Sequence, residues 1–184
     1  MAVVGLISDT HGLLRPEALA ALAGVDLIVH AGDIGSAAIL EALGAIATVV
    51  AVRGNNDREP WAASIPEIAA ATIAGVRLRV IHDLKALRGD VAALGADVIV
   101  SGHSHRPGVE RRRGVLLVNP GSAGPRRFTL PITVARLHVG AGGLRAEIVE
   151  LDVAARPAAR PRGGRGGLDG ARGPGAVSAR GGAR

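Results

Sequence analysis

Asp9, His11, Asp33, Asn55, His82, His103 and His105 carry side chains suited to holding divalent cations. Asp9 and His11 stand two apart in SDTHG, and His103 and His105 two apart in SGHSH. That spacing puts both side chains of a pair on one face of an extended segment. Asp33, Asn55 and His82 each stand alone. Two carboxylates, an amide oxygen and four imidazoles suit one or two borderline cations such as Mn²⁺, Fe²⁺, Co²⁺, Ni²⁺ or Zn²⁺. They suit Ca²⁺ poorly, because it prefers an all-oxygen shell. The chain has no cysteine, which removes disulfides, thiolate nucleophiles and sulfur-ligated metals. Taken singly the pieces are ambiguous: the paired histidines fit a structural role as well as a metal, and Asp9-Thr10-His11 fits a capped turn.

Their placement along the chain removes much of that ambiguity. Six times an apolar, strand-like run ends in a polar cluster: SDTHG after VVGLI, AGD after DLIVH, RGNND after TVVAV, HD after RLRVI, SGHSH after ADVIV, and NPGS after GVLLV. In an α/β sheet the carboxyl ends of the strands share an edge where ligands bind, so distant segments converge there. Short β-branched runs alternating with helix-like stretches over residues 1 to about 153 predict such a domain. PEALAALAG reads as a helix with Pro16 in its first turn and Gly24 as its stop. Further helices are expected near 36–43 and 84–94. GVLLVN, PITVARLHV and LRAEIVEL, separated by Gly- and Pro-rich turns, read as neighbouring antiparallel strands.

SDTHG, the GD of AGDIG, GNND, the isolated His82 and GHSH, in this order, resemble the calcineurin-like metallophosphoesterase superfamily. NPGSAGPRR and the small size resemble its compact phosphodiesterase subgroup, which also includes the retromer subunit of this fold. The resemblance covers roughly residues 3 to 151. It implies a four-layer α/β sandwich of two mixed β-sheets flanked by α-helices, and a domain over 1–154. It also implies a phosphoric ester hydrolase, acting on a small phosphoester as a phosphodiesterase, with two divalent metal ions. Mn²⁺ comes first among the candidates, with Ni²⁺, Co²⁺, Fe²⁺ or Zn²⁺ as alternatives. By position, Asp9, His11 and His105 would hold one ion, Asn55, His82 and His103 the other, and Asp33 would bridge them. Asn56 stands where many members carry an acid-donating histidine, and His82 lies in HDLKAL, not between glycines.

Two cations roughly 3.5 to 4 Å apart hold a bridging water as hydroxide near neutral pH and clamp the oxygens of an in-line phosphoryl displacement. Asn56 can donate a hydrogen bond to phosphate but cannot protonate a departing alkoxide. Good leaving groups such as aryl esters are therefore expected to be favoured. Arg126 and Arg127, just past NPGS, could present forked donors to phosphate, Arg127 above all, and read equally well as surface arginines flanking a turn. The other class of function open to this fold is a non-catalytic binding or scaffold protein with a weak or idle metal site.

Other polar residues read as support. His30, inside VDLIVHAG, is expected to be packed behind the ligands. His138 is expected to be structural and Glu110 to Arg113 an exposed hairpin. Gly102 and Gly121 are expected to serve backbone geometry at the site, and Asp57 to cap a turn or orient Asn55.

The pI of about 11.4 suggests nucleic-acid binding until the charge is divided. Residues 156–184 carry seven arginines against one acid, Asp169, and hold the whole formal excess of +6; the remainder has 15 basic and 15 acidic residues. Residues 155–184 read as a disordered Gly/Arg/Pro-rich basic tail, too poor in large apolar residues to offset an ordering cost of roughly 1–2 kcal/mol per residue. Loose nucleic-acid contact through that tail is open, but with Trp61 and Phe128 as the only aromatics there is no surface for stacking bases. No run of ~18 apolar residues marks a membrane span, and a cytoplasmic protein is expected. Natural substrate and oligomeric state have no readable signature.

Overall fold

The computed structural model describes residues 1–87 and 90–153. Ten strands are present among them: β1 (Ala2–Ile7), β2 (Leu27–His30), β3 (Val49–Ala51), β4 (Ile68–Ile73), β5 (Val76–Ile81), β6 (Val98–Val100), β7 (Gly108–Arg112), β8 (Val115–Asn119), β9 (Thr133–Gly140) and β10 (Gly143–Glu150). Two α-helices accompany them, α1 (Pro16–Ala21) and α2 (Ala37–Gly44). The strands form two five-stranded mixed sheets, ordered β10-β9-β1-β2-β3 and β4-β5-β6-β8-β7. In the first, β1, β2 and β3 are parallel, and β9 and β10 are antiparallel additions. In the second, β5, β6 and β8 are parallel and flanked by antiparallel β4 and β7.

The central strands are buried on both faces, which is why they read as near-continuous apolar runs. Val4, Leu6 and Val29 of the first sheet meet Val80, Val98, Val100 and Val118 of the second in the core between the sheets. On the outer face of the first sheet, Ile7 and Ile28 pack under Ala18 of α1, Leu22 just after it, and Ile39 and Leu43 of α2. Pro16 opens α1, and the Ser36 hydroxyl caps α2 by accepting from Ala38 N at 3.3 Å.

The fourth layer differs from expectation. Instead of a helix over 84–94 there are two short 3₁₀ turns, Leu84–Ala86 and Val91–Leu94, packed on Ile99 and Leu117. Asp83 and Asp90 each accept from the amide two residues on, which starts a new turn at both points and competes with one continuous helix. The antiparallel run expected for the last three strands is also corrected. β9 and β10 pair with each other, but β8 lies in the other sheet with β7 as its antiparallel partner. The exposed segment around Glu110 is that β7–β8 hairpin. Among the described residues no helix is long and apolar enough to cross a membrane. The tail assigned to 155–184 lies outside the described residues.

Parallel pairing decides where the polar clusters go. Ile7, His30 and Ala51 lie level at one edge of the first sheet, and Val80, Val100 and Val118 lie level in the second. All six clusters therefore leave their strands at corresponding edges.

Candidate metal centre

The two edges are tied across the sandwich. His82, one residue beyond β5, donates through Nδ1 to Ala31 O at 2.7 Å, beside the end of β2. Gly102, after β6, lies so close to the β1 end that a Cβ there would be 1.9 Å from Ser8 Oγ and 2.8 Å from Asp9 Oδ2. At Gly54 a Cβ would fall 2.1 Å from Asp33 Oδ1. These positions accept only glycine because two loops meet there.

All seven candidate ligands are brought together. Asn55 Oδ1 lies 3.0 Å from His103 Nδ1 and 3.2 Å from His82 Nε2, and the two imidazole nitrogens are 3.3 Å apart. Asp33 Oδ2 is 3.4 Å from His82 Nε2 on one side and 3.8 Å from His11 Nε2 on the other. Beyond it, His105 Nε2 is 3.4 Å from His11 Nε2 and 3.3 Å from Asp9 Oδ1. Two donors each about 2.1 Å from one ion, at right or tetrahedral angles, lie about 3.0–3.4 Å apart. Most of the donor spacings fall in that range, and the two that do not, 3.8 Å from His11 Nε2 to Asp33 and 3.9 Å from His11 Nε2 to Asp9, are both on the His11 side.

Three of the seven, Asp9, Asp33 and His82, are aimed by contacts on their other side. Asp9 Oδ2 accepts from Ser8 Oγ at 2.7 Å and from His103 N at 3.1 Å, which leaves Oδ1 buried without a hydrogen-bond partner among the described residues. Such an orphaned carboxylate oxygen fits a cation. His82 is fixed by Ala31 with Nε2 facing inward. Asp33 accepts from Asn56 N at 2.9 Å and from Asn56 Nδ2 at 2.6 Å. Five of the seven, Asp9, His11, Asp33, His103 and His105, have positive φ between 45° and 65°. Non-glycine residues held there are strained, and such strain gathers at functional sites.

Burial and neighbouring charge shift the candidate ligands in both directions, Asp33, His11 and His105 toward the form that binds metal and Asp9 and His82 away from it. Burial pushes Asp9 up to about 6 and pulls His105 down to about 4, the latter helped by the nearby Arg127 charge. Burial likewise lowers His11, again with Arg127 adding to it. At Asp33 burial is outweighed by hydrogen bonds from His82 and Asn56, and the carboxyl is held well below its ordinary range. His82 moves the other way, since the Asp33 carboxylate and Ala31 carbonyl overcome its burial. Neutral imidazoles and ionised carboxylates are the forms in which these groups bind metal.

The supporting residues divide clearly. His30 is fully buried; its Nδ1 accepts from Gly32 N and its Nε2–H donates to Thr10 Oγ1 at 2.9 Å, so it braces the loops that carry Asp9 and Asp33. Asp57 accepts from Ile34, Gly35 and Gly54 amides and ties the loops after β2 and β3 together. Gly121 has φ +80°, and its amide is held by Asn119 Oδ1. Arg126 donates to Leu130 O, so of the two arginines it is Arg127 whose charge reaches His11 and His105. His138 is on β9, 3.8 Å from Glu147 of β10, far along the sheet from the ligands. Sequence reasoning missed Ser8, Gly54 and Asn119. Asn119 donates to Gly102 O at 2.7 Å and holds the loop bearing both His103 and His105.

The chain is similar to several known proteins. Residues 2–142 match the model of the calcineurin-like phosphoesterase superfamily domain. A probable metallophosphoesterase of Methanothermobacter thermautotrophicus is 38% identical over 159 residues, covering 80% of this chain and 91% of the relative. An archaeal phosphodiesterase structure aligns with a TM-score of 0.63 at 23% identity, covering 80% of this chain and 99% of that one. Vps29 of Entamoeba histolytica, solved with Zn²⁺, aligns with a TM-score of 0.60 at 19% identity, covering 80% and 98%. With a family match over most of its length and a relative this similar across nearly all of that relative's own length, the chain belongs to the calcineurin-like phosphoesterase superfamily, whose members use divalent metals.

Proposed function

We propose that this protein is a metal-dependent phosphodiesterase that hydrolyses a small phosphoester. The convergence of seven donors on the two sides of Asp33 Oδ2 carries the reading. Asp9, His11 and His105 hold one ion, Asn55, His82 and His103 the second, and Asp33 lies between them as the shared ligand. When bound, two divalent cations, Mn²⁺ first among the candidates, supply a water acidic enough to attack phosphorus near neutral pH and a charge that holds the phosphoryl oxygens.

The chain's own residues do the rest. Ser8 and the His103 amide orient Asp9, Ala31 orients His82, and Asn56 fixes Asp33. Arg127 adds positive charge on the His11 side, where an arriving phosphate is attracted. Asn56 contacts a phosphoryl oxygen only if its amide turns from Asp33 Oδ2, and it supplies no proton to the leaving group. The leaving oxygen must then depart as a weak base, which favours aryl esters.

Metal-stripped protein should be inactive toward bis(p-nitrophenyl) phosphate and p-nitrophenyl phosphate. Adding Mn²⁺, Ni²⁺, Co²⁺, Zn²⁺ or Mg²⁺ in turn should restore turnover, with the diester preferred. Faster hydrolysis of the monoester would overturn the diesterase assignment. Absence of turnover with every metal would favour a binding or scaffold role on this fold.

A further inference from the structure

His103 and Asp83 line two grooves that leave the site in different directions. The larger, about 730 Å³, runs past the turn after β5 and along β7 and β8, and the smaller, about 390 Å³, lies where the loop after β3 meets the start of β4 and the end of β5. The first lies within the usual size range of small-molecule sites, and the second at its lower end. A phosphomonoester has one organic arm and needs one such groove; a diester has two.

The grooves differ in charge. In the larger, Glu110 and Arg112 neutralise each other at 3.2 Å, and Asp83 faces His103 Nε2 at 3.9 Å. With His103 neutral, the Asp83 charge stands against two cations, Lys85 and Arg106, neither of which has an ion-pair partner among the described residues, so the groove keeps a net positive charge beside apolar contacts from Leu84 and Val109. In the smaller, Arg53 is spent on Glu67 at 2.7 Å and the apolar wall comes from Ile68 and Ile81.

We infer that the larger groove is a subsite for a substrate arm bearing a second phosphate, bound by Lys85 and Arg106, while the smaller groove takes an apolar arm. The inference rests on the phosphodiesterase reading and narrows its substrate class to diesters with one phosphorylated, nucleotide-like arm. Lys85 reaches the groove as a mobile point charge and Arg106 as a fork, a pairing suited to a terminal phosphate dianion.

Thymidine 5′-(p-nitrophenyl phosphate) with and without a 3′-phosphate tests it on the full Mn²⁺-loaded chain. Hydrolysis adds water across the phosphorus–aryloxide bond and releases p-nitrophenol, with thymidine 5′-phosphate or 3′,5′-bisphosphate as the other product. The 3′-phosphate should lower KM about three- to tenfold at low salt, as two exposed ion pairs allow, and less at high salt. In Lys85→Ala/Arg106→Ala the two esters should have equal KM, and Lys85→Arg should keep the preference. Calorimetric binding of thymidine 3′,5′-bisphosphate against thymidine 5′-phosphate should give the same ratios without turnover. Equal binding in the unmodified protein, or a preference that survives the double substitution, overturns the subsite. A preserved binding preference with no hydrolysis of either ester would overturn the phosphodiesterase reading and leave the subsite standing.

Discussion

Asn56 donates its side-chain amide to Asp33 Oδ2 at 2.6 Å, in a position from which it releases no proton near pH 7. Rates across a series of diesters should therefore rise steeply as the leaving group becomes more acidic. Asn56→His supplies an acid, and general acids contribute about 10²–10⁴-fold where proton donation limits the rate. Its turnover of alkyl esters should rise at least about tenfold relative to aryl esters; an unchanged ratio would show that Asn56 does not set the leaving-group demand. His30 makes a different prediction. Its buried ring is neutral in the fold, with burial pulling it down from an ordinary 6.5 to about 3. Its contribution to stability is complete above pH ~6.5 and is lost as pH falls toward 3, at about 1.4 kcal/mol per pH unit for one proton. Denaturation midpoints of metal-free protein and His30→Gln should converge as pH drops through that window, and parallel curves would contradict the assignment. The ligand residues were legible because Asp, Asn and His interrupt apolar runs. Ser8 and Asn119 were not, since each acts on groups far away in sequence, and neither side chain type is unusual after a strand.

At the scale of elements, the strands that carry the site could be read because they are parallel and rich in Val, Ile and Leu, with β2 and β6 buried on both faces. β4 escaped notice because half of Ile68–Ile73 is alanine and its exposure alternates, and its turn to β5 is Ala74-Gly75, both at positive φ. That backbone suits a two-residue hairpin, but Ala-Gly lacks the Asn-Gly or Asp-Gly signature that reveals one. The same holds for Arg113-Gly114 between β7 and β8. The turns at 84–94 looked helical because apolar spacing alone does not register an aspartate that restarts a turn. Where β6 ends, Gly102 lets the second sheet's loop touch the first sheet's Asp9. Gly102→Ala should cost about 1–3 kcal/mol through overpacking, a fall in Tm of roughly 2–12 °C. Gly44→Ala, at the end of α2 with nothing within 4 Å of its added methyl, should lower Tm by no more than a degree or so. Equal losses in calorimetry would show that the close approach at Gly102 is unimportant.

For the molecule as a whole, the site exists only where the two sheets meet, since Asp9, His11, Asp33 and Asn55 follow strands of one and His82, His103 and His105 strands of the other. The basic pI does not describe this part of the chain: residues 1–155 are formally neutral, and the excess of +6 belongs to 156–184. In the proposed function, attraction for phosphate would then come from the two cations and from local groups such as Arg127. Counting metal against turnover joins the two halves of the account most directly. Stripped protein dialysed against Mn²⁺ should take up two ions per chain and hydrolyse bis(p-nitrophenyl) phosphate in proportion to the second ion bound. Asp33→Ala should lose ions from both positions, His103→Ala chiefly one, and each should lose about 10²-fold or more in turnover, on the scale of removing groups that stabilise a transition state. A single ion per chain at full activity, or two ions and full activity in Asp33→Ala, would contradict the two-ion site shared through Asp33.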